Sequence, residues 1–154
     1  MRARKACLGL TMLLGMPVTS SAGELKDAGR FCGYGPIIDL RAGETIVTSY
    51  GGIHGGGFQW TGSFGSLKVD GVQWASQPKG TRRDKTSQGH ILFAQRKADG
   101  FYTVAIWNGR QGAAYFRSKQ PLTKAQLKAI DRVVLFQEGE EPTGCKLRTG
   151  FSWE

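Results

Sequence analysis

Metal-ligand spacing is missing from this chain. It has two histidines, His54 and His90, and three cysteines, with no His-x-x-x-His, no Cys-x-x-Cys and no calcium-loop ladder of acids. No metal site and no cofactor is expected. A nucleophile elbow, Gly-x-Ser-x-Gly, is also missing. Ser63 has Gly65 after it but Thr61 before it, and Ser152 has Gly150 before it but Glu154 after it. There is no Gly-Lys-Ser/Thr phosphate loop, no low-complexity tail, and none of the strand–helix alternation that a parallel sheet needs.

These absences decide how the run Ile53-His54-Gly55-Gly56-Gly57-Phe58-Gln59-Trp60 is read. A His-Gly-Gly-Gly stretch serves α/β-hydrolase esterases as an oxyanion loop, but only with the elbow. Here it is read as a glycine-permitted turn or bulge, with His54 as a turn residue. A phosphate nest would want a helix opening nearby, and none is expected there.

Long apolar runs are scarce. Leu8 to Val18 is the clearest, and it falls short of the roughly 20 residues that cross a bilayer. Arg2, Arg4 and Lys5 precede it, and Ser20-Ser21-Ala22 follows. That pattern predicts a secretory signal peptide over 1–22, with cleavage after Ala22 or, next best, after Gly23. Cys7 lies before the apolar run, which argues against a lipoprotein anchor. The chain is expected to be periplasmic or secreted, without a transmembrane segment.

Cys7 leaves with the leader, so Cys32 and Cys145 remain in an oxidising compartment and are expected to form a disulfide. The two ends of a single domain, residues 23–154, would then lie side by side. Three of the 21 Lys and Arg residues also leave, and 18 face 12 acids. A net charge of about +6 favours anionic partners.

What the chain has is β punctuation. Short apolar segments, alternating faces and glycine turns from Gly33 to Ser118 predict a mainly β fold, a β-sandwich or barrel-like set of antiparallel sheets. Leu67 to Trp74 reads as a hairpin about an Asp70-Gly71 type I′ turn. A meander is expected over Ile91–Arg96, Phe101–Trp107 and Ala113–Arg117, with turns at Ala98-Asp99-Gly100 and Asn108-Gly109. Apolar residues on both faces of 101–107 place that strand centrally. Ile37–Leu40 and Thr45–Thr48 are strands about Arg41-Ala42-Gly43. Gly57-Phe58-Gln59-Trp60 and Gly71-Val72-Gln73-Trp74 echo one another and are read as neighbouring strands. Trp60, Trp74 and Phe93 are expected inside.

One short helix breaks the pattern. Thr123 is its N-cap, Gln126 completes a capping box, and the end is expected near Arg132. Leu127, Ile130 and Val134 share its apolar face, while Lys124, Lys128 and Arg132 line another. Val133–Phe136 is more strand-like, Gly139–Gly144 reads as an acidic turn, and a last strand runs from Cys145 toward Trp153.

Three functional readings follow. The leading one is a non-enzymatic exported binding module, of protein-inhibitor, immunity or glycan-binding type. It would grip another protein or an anionic envelope component through a basic loop carrying Lys79, Arg82, Arg83 and Lys85. The alternative is a small secreted ribonuclease-like nuclease, with His54 and His90 as acid–base pair and nucleic acid as substrate. A structural envelope protein is third. Glu138, Glu140 and Glu141 are read as a solvated turn rather than a metal site.

Overall fold

The computed structural model describes residues 23–136 and 139–149. The expected signal segment, residues 1–22, and Trp153 lie outside them. The strands begin with β1 (Glu24–Lys26), β2 (Gly29–Cys32), β3 (Pro36–Leu40) and β4 (Thr45–Gly51). Next come β5 (Gly55–Gly62), β6 (Gly65–Val72), β7 (Arg82–Lys85), β8 (Ile91–Phe93) and β9 (Arg96–Ala98). After β10 (Phe101–Trp107) and β11 (Ala113–Ser118) come helix α1 (Lys124–Asp131), β12 (Val134–Leu135) and β13 (Cys145–Arg148).

These strands form two sheets. The larger runs β1-β4-β5-β6-β11-β10-β8-β7, with β9 also on β10; the smaller runs β12-β3-β2-β13. Pairing is antiparallel except for β13 beside β2, which is parallel. Arg41 to Glu44 carries the chain from one sheet to the other. Strand alternation then sorts the side chains. Phe31 and Ile38 of the small sheet meet Phe58, Trp60, Leu67, Val69, Ile106 and Phe116 of the large one, and Ile130 of α1 joins them. Each such side chain contributes about 1.5–3 kcal/mol by leaving water. The mainly β fold with one helix is therefore present, and β10 is central and buried on both faces.

The capping box forms: Gln126 N–H donates to Thr123 Oγ1 at 3.2 Å, and Thr123 N–H to Gln126 Oε1 at 2.9 Å. The buried face differs from the expected one. Gln126, Ala129 and Ile130 turn inward, while Leu127 and Val134 stay partly exposed. Gln126 Nε2 donates to Ser66 O at 3.2 Å, so tertiary contact, not hydropathy, orients the helix.

The Asp70-Gly71 hairpin is corrected. Asp70 and Gly71 lie within the continuous strand β6, which pairs with β5 on one side and β11 on the other. The turn is made earlier, at Ser63-Phe64, and Gly65 supplies the left-handed residue at φ +94°. Gly71 answers a packing need instead: a Cβ there would sit 2.5 Å from Pro36 Cδ. The same dipeptide does form a type I′ turn at Asp99-Gly100, where φ is +53° and +76° and Ala98 faces Phe101. The echoed segments start on neighbouring strands, β5 and β6, but do not face each other: Gly57 to Trp60 pair with Asp70 to Leu67, and Gly71 and Val72 with Gly56 and Gly55. Gln73 and Trp74 have left the strand, and Trp74 is 53 % exposed rather than core.

None of the glycines from Gly51 to Gly57 has positive φ. Gly56 and Gly57 instead admit two tyrosine rings: a Cβ on Gly56 would lie 2.6 Å from Tyr34 Cδ2, and one on Gly57 would overlap the Tyr50 ring. A bulge between Thr48 and Tyr50 accompanies this packing.

Candidate functional site

The register of the large sheet gathers several connections at one end. Gly55, Val72, Ala113 and Trp107 pair in a row across β5, β6, β11 and β10, and the chain turns just beyond them. The Gly52–His54 tip, the Gln73-Trp74 segment and the 108–112 turn therefore emerge together. The last is shaped by Asn108, whose Oδ1 accepts the N–H groups of Arg110, Gln111 and Gly112 at 2.9, 3.0 and 3.0 Å. Backbone bonds lace these pieces: Gln73 N–H to His54 O at 2.9 Å, and Phe136 N–H to Gly35 O at 3.1 Å.

The disulfide closes the far wall. Cys32 and Cys145 are bonded across 113 residues, and Thr149 N–H donates to Cys32 O at 3.1 Å. Between these parts lies a cleft of about 720 Å³, a volume typical of ligand sites. Tyr34, Ile53, Trp74 and Phe136 supply its apolar walls. Gln73, Arg110, Gln111, Glu140 and Glu141 supply polar groups, and Arg148 is held by Pro142 O at 2.6 Å. His54 does not line the cleft. It meets the Trp74 ring edge-on at 6.0 Å and so backs that side chain. Burial raises the pKa of Tyr34, keeping its hydroxyl protonated.

The basic segment takes a different form from the loop expected. Arg82, Arg83 and Lys85 sit in β7, an exposed edge strand of the large sheet, with Lys79 just before it. Arg82 donates to Gln77 Oε1 at 2.6 Å and lies 5.8 Å from the Trp107 ring centre. Charge along an edge strand blocks pairing with another chain, so these cations have a structural use. None of the four lines the cleft.

No hydrogen bond or ring contact joins His54 and His90 among the described residues. His90 is buried, and its Nε2 accepts the Leu135 N–H at 2.8 Å. That nitrogen is therefore engaged in holding β12, and burial lowers the His90 pKa below 6.5. An unfolded chain takes up a proton at His90 more readily than the folded one. Stability is thus complete above about pH 6.5 and falls as pH drops through the folded-state value. Urea unfolding at pH 7.5 and pH 5 should show this loss, and His90→Ala should shrink the His90 contribution while costing about 1–3 kcal/mol at neutral pH. An unchanged pH dependence in the variant would refute the assignment.

No group of three or more His, Cys, Asp or Glu residues gathers among the described residues. Ile53, Arg110, Gln111, Phe136 and Arg148 are among the cleft residues to which the sequence reading gave no functional role. The Asn108-Gly109 turn signal marked where one of these segments would project, but not what it would face. Comparison with protein-family models, with curated proteins and with solved structures finds no match to this chain.

Proposed function

We propose that this protein is an exported, non-catalytic binding module that holds a saccharide chain in the cleft at its disulfide end. The observation that carries the reading is Trp74, half-exposed on the cleft wall and steadied by His54, with two glutamines and Arg110 around it. An indole face covers the C–H face of a sugar at little entropic cost, and planar amide, carboxylate and guanidinium groups match pairs of adjacent hydroxyls. Glu140 and Glu141 favour a neutral or amino sugar, with Arg110 and Arg148 available to its hydroxyls. Export is supported by the basic, apolar and small-residue order of residues 1–22 and by the disulfide. No helix among the described residues is long and apolar enough to cross a membrane.

The test is a glycan array followed by calorimetry on the retained ligands. Trp74→Ala should weaken binding about tenfold or more while leaving the unfolding midpoint nearly unchanged. Retention of no glycan, or equal retention by the variant, would end this reading. Ile53 favours a second one. It is 72 % exposed at the hairpin tip, an unusual place for a large aliphatic group unless a protein partner covers it. Loss of a captured protein on Ile53→Ser, with glycans ignored throughout, would select that partner instead.

A further inference from the structure

The outward face of the large sheet carries a second arrangement, away from the cleft. Directly paired residues share a face, and Val69, Phe116 and Phe58 point inward. Their neighbours therefore point outward. Lys68 stands opposite Arg117, Arg117 opposite Thr103, and Thr103 opposite Arg96. One step along, Gly57 stands opposite Asp70, and Asp70 opposite Tyr115. Three cations thus sit in one cross-strand row, a placement that repels unless something compensates it.

Asp70 compensates only part of it, in a specific way. Its carboxylate is buried; Oδ1 accepts the Tyr50 hydroxyl at 2.8 Å and Oδ2 lies 3.3 Å from Arg117 Nε. The Tyr50 ring reaches this point because Gly57 has no side chain. The Tyr50–Asp70 pair is correspondingly tight: burial and the carboxylate push the Tyr50 pKa up to about 12. Asp70 pairs with Arg117 at Nε, and the two terminal amino groups of Arg117 have no hydrogen-bond acceptor among the described residues. Those groups form the fork that matches a phosphate oxygen pair. Arg96 is exposed, and both it and Arg117 act electrostatically on the Tyr115 phenol, partly countering the effect of its burial. The register sets Arg96 on β9 and Arg117 on β11 to either side of β10's Thr103, on the face that also carries Tyr115.

We propose that Arg96 and Arg117, flanking Thr103, with Tyr115 in the adjoining row and Lys68 beside Arg117, form a seat for a phosphomonoester. In this arrangement Asp70 and Tyr50 are positioning residues: they hold Arg117 side-on and leave its fork outward. Net positive charge remains after Asp70 is counted, as a dianionic group requires. This seat stands on a different face from the cleft and does not depend on saccharide binding there.

The experiment uses the mature chain and inorganic phosphate at constant ionic strength, read by calorimetry and by guanidinium 15N resonances. Wild type should bind, with phosphate shifting the Arg96 and Arg117 Nε signals. Arg96→Gln and Arg117→Gln should each weaken binding about tenfold, and the double variant should abolish it. Tyr50→Phe, which keeps the ring over Gly57, should reduce affinity severalfold and diminish the Arg117 shift while preserving that of Arg96. A purely structural role for Tyr50 would not separate the two signals. Arg110→Gln, in the cleft, should bind phosphate as wild type does. Vesicles of phosphatidylcholine with and without phosphatidic acid then separate a lipid headgroup from a soluble phosphate ester as the source. Absence of wild-type binding overturns the proposal. So does phosphate binding that survives the Arg96/Arg117 double variant or disappears in Arg110→Gln.

Discussion

Replacing both Cys32 and Cys145 by serine is expected to lower the stability of the fold by about 5 kcal/mol. The bond closes a loop of 113 residues, and the entropy released to the unfolded chain on opening it grows with the logarithm of that length. Measured losses for native disulfides in small exported domains span about 2–5 kcal/mol, against a total stability of about 5–15 kcal/mol. The thermal midpoint should drop by roughly 10 °C or more, and reduction of the wild type should reproduce it. Position makes the loss local as well as global. The bond ties β13 to β2, the parallel pair on which Arg148 and the 139–142 segment depend, so the cleft should loosen with it. Differential scanning calorimetry of the double serine variant checks the first part, and ligand affinity checks the second. A midpoint within a few degrees of wild type would contradict both.

Truncating Arg132 to alanine is expected to cost about 3–5 kcal/mol. Arg132 closes the helix, and its side chain turns inward, away from Lys124 and Lys128, with which the sequence aligned it. Its Nη2 pairs with Glu44 Oε1, its Nη1 donates to Asp39 O at 2.7 Å, and its guanidinium lies 4.9 Å from the Trp60 ring centre. Glu44 Oε2 accepts the Arg41 N–H at 3.2 Å and the Trp60 indole N–H at 3.4 Å. This one cluster ties α1, the turn between the sheets and the largest core side chain together. Removing the cation strands a buried carboxylate, which is the expensive half of breaking such a pair. The pair together is worth less than either deletion suggests. Glu44→Gln with Arg132→Met should lose less than the sum of the single losses, and a double-mutant cycle in urea measures the coupling. Additive losses would mean that the two residues act separately.

Legibility followed locality. The capping box at Thr123, the type I′ turn at Asp99-Gly100 and the two-sided burial of β10 rest on neighbours within a few residues, and each can be read from the chain. Asp70-Gly71 has the same local preference as Asp99-Gly100 but a different outcome. Two flanking strands pair along all of β6, and Pro36 packs against Gly71, so pairing and packing outweigh a turn preference. Trp74 was misplaced because the alternation was carried two residues past the strand's end. The basic segment was recognisable as charge, but its role as a sheet edge depends on which strand has no neighbour. The cleft was invisible for the same reason: its residues come from five separate connections and from β13, joined only by register and strand order.

By itself, then, the order of residues determined a mainly β chain, its short capped helix and the pairing of Cys32 with Cys145. These depend on period, nearby polar partners and the two cysteines that lie in the β-patterned part of the chain. Tertiary structure alone decided that Trp74 faces solvent, that Arg132 is inside, and that Tyr50, Asp70 and Arg117 meet across β4, β6 and β11. Each of those outcomes follows from strand order and register, which bring together residues whose separation along the chain carries no information about their separation in space.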